Sequence, residues 1–267
     1  MTTKRASSVG LFKSLAVQRR VIFALLMREA MTRFGRHNLG FLWLFLEPMI
    51  FTIGVTTLWT ATRAFHGSAL PIVPFAVTGY SSILLWRNMP ARCIDAVEPN
   101  RTLLYHRNVK VIDIYLARLI IEASGATISF MTLTIIFMSI GWMKPPEDIL
   151  KIIFAWILLV WFGMSLAIFL GSLSEEVEII EKLWHPASYL FVPLSGAAFI
   201  VNGLPSQVQH LALYLPTVNG VELLREGYFG SQMVAHYDIP YMVIANAVLS
   251  LFALAQLQKI GRKAISA

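Results

Sequence analysis

Residues 152–171 read IIFAWILLVWFGMSLAIFLG, twenty positions without a charged side chain. A helix of that length rises about 30 Å, the thickness of a bilayer's hydrocarbon core. The pattern recurs outward in both directions. Residues 239–257 and 69–86 are also uncharged over nineteen and eighteen positions. Residues 41–62 carry only Glu47, and residues 111–140 carry Asp113, Arg118 and Glu122, all in their first half. The whole chain of 267 residues is 57% hydrophobic and 14% charged, against about 25% charged in an ordinary soluble domain. Lipid is therefore the solvent for most of this protein.

Residues 183–221 are the least regular stretch. They lack charge over 39 positions, about twice the length of one crossing, yet Pro186, Pro193, Asn202, Gly203, Pro205, Pro216 and Gly220 interrupt them. One straight helix cannot hold these residues. A fifth span is expected over 184–201, a break at Asn202-Gly203-Leu204-Pro205, and short helices over 206–229 within a re-entrant region, 203–230, that dips into the outer leaflet. Irregular backbone at that depth needs protein or water around it, because lipid offers no hydrogen bonds.

The expected fold is an all-α membrane protein with six spans, near 41–62, 69–86, 111–140, 152–171, 184–201 and 239–257. Residues 1–36 form a tail and an amphipathic helix, 37–257 the transmembrane domain, and 258–267 a basic tail. In the first of these, Phe23, Leu26, Met27, Ala30, Met31 and Phe34 follow helical spacing among Lys13, Arg19, Arg20, Arg28, Arg33 and Arg36. That combination suits a helix lying in the headgroup layer or packed under the bundle, and the spacing allows both. Six spans put both termini on one side. The segments on that side hold 17 of the 22 Lys and Arg residues, which places it in the cytoplasm. The net charge of +7 is then a topology signal rather than a sign of nucleic acid binding. No cleaved signal peptide is expected, since the first 40 residues lack an uncharged core followed by small residues.

The sequence excludes several chemistries. It has no G-x-x-x-x-G-K-[ST] loop, so this chain is not expected to hydrolyse ATP itself and no cofactor is assigned to it. It has no G-x-S-x-G elbow and no His/Cys/Asp/Glu set at metal-ligand spacing, so neither a catalytic residue nor a metal ligand is assigned. Its one cysteine, Cys93, forms no intrachain disulfide. Charges inside the membrane are expensive and therefore informative. Arg118 and Glu122 are four apart and can pair on one helix face. Asp113 sits where a carboxylate favours the positive end of a helix dipole. Glu47, before Pro48, could face a polar cavity, act in gating or hold a partner. The residue before a proline resists helical geometry, so a kink is expected there. Trp43, Trp59, Trp86, Trp142 and Trp184 fall near span ends, as in an interfacial aromatic belt, and a sugar-stacking track is the alternative.

The run MREAMTRFGRHNLGFLWLFLEPMIF (27–51) resembles the start of type-two ABC permeases that export surface polysaccharides. In that family an amphipathic helix leads through R-x-x-x-T-R-[YF]-x-x-S/N-x-L-G-x-x-W into a first span containing Glu-Pro. Arg28, Thr32, Arg33, Phe34, Gly35, Leu39, Gly40, Trp43, Glu47 and Pro48 fill the pattern. VEPNRTLLYHRNVKVIDIYLARLIIE (97–122) is similar to the family's first cytoplasmic loop and third span. LPTVNGVELLREGYFG (215–230) is similar to its N-P-[LM]-x-x-x-x-E-x-x-R region, with Pro216, Glu222, Arg225 and Glu226 in place and Leu215 where Asn is usual.

The resemblance covers about residues 15–257 and is greatest to the Gram-negative capsular polysaccharide permease. O-antigen and teichoic acid permeases of the same fold are close alternatives, and an ion-coupled secondary transporter is a more distant one. It implies a homodimer, two nucleotide-binding ATPase subunits, periplasmic and outer-membrane export proteins, and contact with membrane lipids. It implies an ATPase-coupling helix in the 87–110 loop around Glu98, Asn100, Arg101, Leu103, Leu104 and Tyr105. The cargo would be a lipid-linked, acidic glycan, steered at the cytoplasmic mouth by Arg28, Arg33, Arg36, Arg87 and Arg92, with Glu47, Arg118 and Glu122 as gating or pairing residues. Reversing the charge of Arg33 and Arg36 is expected to cut surface polymer while leaving dimer assembly and ATPase docking intact. Normal surface polymer in that variant would remove the steering role.

Overall fold

A computed structural model describes residues 11–34, 38–62, 70–105 and 109–266, with side chains at 13–32, 42–62, 70–105 and 109–261. The helices are α1 (Leu11–Phe34), α2 (Asn38–Thr62), α3 (Ile72–Cys93), α4 (Arg101–Leu104), α5 (Val111–Ser139), α6 (Ile149–Ser174), α7 (Ile179–Leu190), α8 (Ser206–Leu213), α9 (Pro216–Phe229) and α10 (Ile239–Ser266). Among the described residues there is no strand. Four stretches are long and apolar enough to cross a membrane: Leu42–Thr62, Val111–Ser139, Ile149–Ser174 and Ile239–Gly261.

At the centre, α3 and α6 pack against each other, α5 and α9 flank α3, and α9 and α10 flank α6. The central contact is made by backbone. Gly163, Ala167 and Gly171 recur every fourth position on α6, the spacing that lets membrane helices approach closely. A β-carbon at Gly171 would stand 2.6 Å from Cβ of Cys93, and one at Gly163 would stand 3.0 Å from Cα of Trp86. Hydrogen bonds join α6 to α10: Trp161 Nε1 donates to Ser250 Oγ at 2.8 Å, and Asn246 Nδ2 to the Leu158 carbonyl at 3.0 Å. In α2, Thr52, Thr56 and Thr60 each donate to the carbonyl four residues earlier. Their hydroxyls are thereby satisfied without water.

Three expectations change. First, α3 continues past residue 86 to Cys93, so Arg87 and Arg92 stand on a helix and not on a loop. Each has a reason to stay there: Arg87 lies 4.3 Å over the Tyr189 ring, and Arg92 pairs with Glu122. Second, no helix covers 184–201. Instead, α7 ends at Leu190 and the chain turns until Val201. Pro193 lacks an amide donor, and Gly196 adopts φ +86°, a left-handed value where a β-carbon would also stand 3.1 Å from Val218 Cα. Third, Trp43 and Trp142 are exposed as a belt requires, whereas Trp86 and Trp184 are 3% and 8% exposed and belong to the core.

Other elements fall where the pattern placed them. Pro48 lies inside a helix assigned without a break from Asn38 to Thr62, so no interruption accompanies the expected kink. The 63–68 connection lies outside the described residues. α1 packs on α5 and α2, while Phe23, Met27 and Met31 remain exposed one turn apart. The break at 202–205 and the helices α8 and α9 are present. Gly171→Val forces α3 and α6 apart, and a loss of about 1–3 kcal/mol is expected from such overpacking. A lower thermal unfolding midpoint in detergent, with Gly261→Val much less affected because nothing lies within 4 Å of a β-carbon there, checks it.

Candidate functional site

Two polar clusters lie at opposite ends of α3. The first surrounds Arg225 of α9, which is fully buried. Proline cannot continue a helix but starts one well, and Pro216 opens α9 at its first turn. The helix then presents Asn219, Glu222 and Arg225 at three-residue spacing, all buried. Arg225 Nη1 donates to the carbonyls of Gly196 and Phe199, both at 2.7 Å. Its Nη2 donates to the Ala197 carbonyl and reaches that of Phe75 at 3.5 Å. The guanidinium also lies 3.7 Å over the Phe75 ring. Glu222 does the converse, accepting the Val201 and His236 amides at 3.1 and 3.2 Å. Asn219 donates to the Leu213 carbonyl at 2.7 Å and accepts the Asp238 amide at 2.7 Å. Three side chains of one helix thus satisfy the irregular backbone on both sides of it.

Next to this hub, Glu226 accepts from Tyr237 Oη at 2.6 Å and pairs with Lys151 at 3.1 Å. The hydrogen bond to Glu226, with burial, pushes the Tyr237 phenol up to about 12.

The second cluster joins α1, the end of α3, the 94–105 segment and the start of α5. After α3, Asp95 turns the chain with φ +54°, a conformation Asp tolerates better than most residues. A 3-10 turn at Glu98–Asn100 runs into α4, so the helix expected around Glu98–Tyr105 is present. Asn100 is buried and donates to the Ala96 carbonyl at 2.8 Å, while its oxygen accepts from Arg28 Nη1 at 2.9 Å. Glu98 and Arg101 pair at 3.2 Å and are both exposed. Tyr105 is exposed, Leu103 and Leu104 are half-buried, and Leu104 rests on the core.

Arg118 and Glu122 share a face as expected, and both reach beyond their own helix. Glu122 accepts from Arg92 Nε at 2.8 Å. Arg118 donates through Nη1 to the Arg92 carbonyl at 2.8 Å, and its Nε lies 3.2 Å from Glu29. Asp113 accepts the Lys110 amide at 2.8 Å, the expected helix-start position, and also accepts from Gln18 of α1. Glu47 is exposed on α2 and lines a small gap with Asn88, Arg92 and Glu122. Arg28, Glu29, Thr32, Arg92, Asn100 and Arg118 line a cavity of about 300 Å³. Arg87 stands apart against Tyr189. Arg36 and the side chain of Arg33 lie outside the described residues. Glu29 was missed in the sequence, although it is the one carboxylate in the first 46 residues.

Residues 20–229 match the ABC-2 type transporter membrane domain. The chain belongs to the ABC-2 type transporter family. It is 43% identical over 259 residues to the capsule polysaccharide export inner-membrane protein CtrC of Neisseria meningitidis serogroup B, covering 97% of this chain and 98% of that protein. It is 39% identical over 250 residues to the capsule polysaccharide export inner-membrane protein BexB of Haemophilus influenzae, covering 94% of each. The polysialic acid transport protein KpsM of Escherichia coli is 26% identical over 250 residues, covering 90% of this chain and 93% of KpsM. Both polar clusters fall largely within the matched ABC-2 residues.

Removing the buried guanidinium strands several carbonyls and leaves Glu222 without its countercharge. Arg225→Met is expected to cost about 3–5 kcal/mol, the usual penalty for breaking a buried charge network from one side. The check is thermal unfolding with limited proteolysis, in which cleavage should appear first between 191 and 205.

Proposed function

We propose that this chain is the transmembrane subunit of an ATP-binding cassette exporter that carries capsular polysaccharide across the bacterial inner membrane. The observation that carries the reading is 43% identity to a capsule export protein over 97% of the chain. The architecture supports six crossings. α2, α3, α5, α6 and α10 each have 22 or more residues, and 22 residues rise about 33 Å. α7 and the turns to Val201 supply the sixth, and 203–230 is the re-entrant region. Both termini are cytoplasmic by the distribution of Lys and Arg.

The energy comes from a separate nucleotide-binding subunit, which holds ATP and Mg. It docks where Glu98, Arg101 and Tyr105 stand exposed at the end of α3. Two copies of this chain form the path, and the exposed apolar face of α2, with Ile50, Phe51 and Leu58, is available for lipid or the second copy. A lipid-linked acidic glycan enters beside α1, near Arg28 and Arg92, and is passed to periplasmic and outer-membrane export proteins.

In an encapsulated host lacking its own export permease, this chain produced with its ATPase subunit restores surface polymer. Arg101→Glu combined with Tyr105→Ala, both exposed positions, reduces surface polymer at least tenfold and abolishes co-purification of the ATPase. Polymer retained inside cells that hold the unaltered chain in the membrane would refute the reading.

A further inference from the structure

The segment that meets the ATPase has little means of holding its own shape. α4 has four residues and the 3-10 turn before it has three, too few for a helix to be stable unaided. The base of the segment is buried through Ala96 and Val97, while Glu98, Arg101 and Tyr105 stand exposed. Between base and tip lies Asn100, only 3% exposed. Its side-chain nitrogen donates inward to the Ala96 carbonyl at 2.8 Å, and its backbone amide to that of Val97 at 3.0 Å. Its side-chain oxygen is shielded from water and accepts from Nη1 of Arg28, on α1, at 2.9 Å. A buried acceptor left without a donor is costly, so the shape of the turn is linked to the place of Arg28.

Arg28 is in turn held by the seating of its own helix. Gln18 and Glu29 are eleven residues apart, about three turns, and share one face of α1. Gln18 donates to Asp113 and Glu29 pairs with Arg118 at 3.2 Å, so α5 grips α1 at two separated points. The exposed Phe23, Met27 and Met31 lie on the opposite face. Arg118 also donates to the Arg92 carbonyl, at the end of α3, at 2.8 Å. α1 therefore backs the 94–105 segment twice: at its start through Glu29, Arg118 and the Arg92 carbonyl, and at its middle through Arg28 and Asn100. We propose that Arg28 is a positioning residue for ATP-driven transport, which fixes the 98–105 turn through Asn100 and so presents Glu98, Arg101 and Tyr105 to the nucleotide-binding subunit. The inference rests on the export reading, which supplies the ATPase. Cargo takes no part in it.

The test uses the full-length protein in nanodiscs without glycan. A nitroxide attached at Tyr105→Cys reports the motion of the turn by electron paramagnetic resonance, and the one native cysteine, Cys93, is buried and takes no label. Arg28→Met makes the spectrum more mobile, and Arg28→Lys, which keeps a donor, restores it. Arg19→Gln, at an exposed arginine of the same helix, leaves it unmoved. In unlabelled chains Arg28→Met weakens binding of the ATPase subunit about tenfold, the scale of one charged hydrogen bond. Asn100→Leu weakens it by the same factor, and Arg28→Met added to Asn100→Leu weakens it no further, because the two act through one bond. Should Asn100→Leu fail to fold, the Arg28 variants decide alone. An unmoved spectrum in Arg28→Met, or additive losses in the double variant, overturns the proposal. Loss of surface polymer in Arg28→Met with spectrum and ATPase binding both unchanged assigns Arg28 to cargo and overturns it too. A loosened turn with ATPase binding unchanged refutes the docking site itself, and the positioning role falls with it.

Discussion

A guanidinium shut away from water has to find its hydrogen bonds in protein, and Arg225 finds those of its two terminal nitrogens in backbone. Burying such a charge costs several kcal/mol before any partner is counted. Irregular backbone in a low-dielectric setting has the opposite shortage, carbonyls and amides with nothing to bond. The two shortages cancel. Arg225 takes the carbonyls of Gly196, Ala197 and Phe199, Glu222 takes the amides of Val201 and His236, and Asn219 takes one of each. A single helix opened by a proline thereby makes it possible for the 191–205 stretch to remain without an α-helix. α7 can stop at Leu190, and α8 and α9 can follow as separate short helices, because their connections are satisfied from within.

Much of this was legible in the sequence. Apolar runs near twenty residues marked α2, α5 and α6 to within three positions at both ends and α3 and α10 at their starts, since hydropathy and helix rise are both local properties. The break at Asn202-Gly203-Leu204-Pro205 was legible for the same reason. What was not legible depends on distant partners. Whether the helix after residue 86 continues was decided by Tyr189, 102 positions from Arg87, and Glu122, 30 positions from Arg92, and a charged stretch looks like a loop until those partners are known. The end of α7 at Leu190 depends on Gly196 meeting Val218. Trp86 and Trp184 resembled belt residues because a buried indole and an interfacial one have the same sequence signature.

The charged residues near α1 show the same division. Arg118 and Glu122 were singled out because charge inside a membrane is costly, Arg28 and Arg92 because the family resemblance placed them at the cargo's entry, and the structure gathers all four. Their partners differ from the simplest pairing. An i, i+4 acid and base look self-sufficient on a helix, yet Glu122 bonds to α3 and Arg118 reaches α1. Local spacing identified which charges mattered, and the tertiary arrangement determined what they hold. Glu29 escaped notice because a lone acid in a basic helix reads as charge balance until Arg118 is seen beside it.

The glycine and alanine contacts along α6 give α3 a mechanical character. Side chains between two helices can change rotamer and absorb a small shift, but backbone resting on backbone cannot. α3 is seated on α6 in that way at Trp86 and Cys93. Its C-terminal end leads into the Glu98–Tyr105 turn, and its N-terminal turn carries Phe75, whose ring and carbonyl meet Arg225. It is therefore a stiff rod between two polar clusters, with little slack along its length. At its C-terminal end this rod meets the Glu98–Tyr105 turn, and at its N-terminal end the carbonyl cage, where the 191–205 segment that Arg225 holds together is built of turns rather than α-helix.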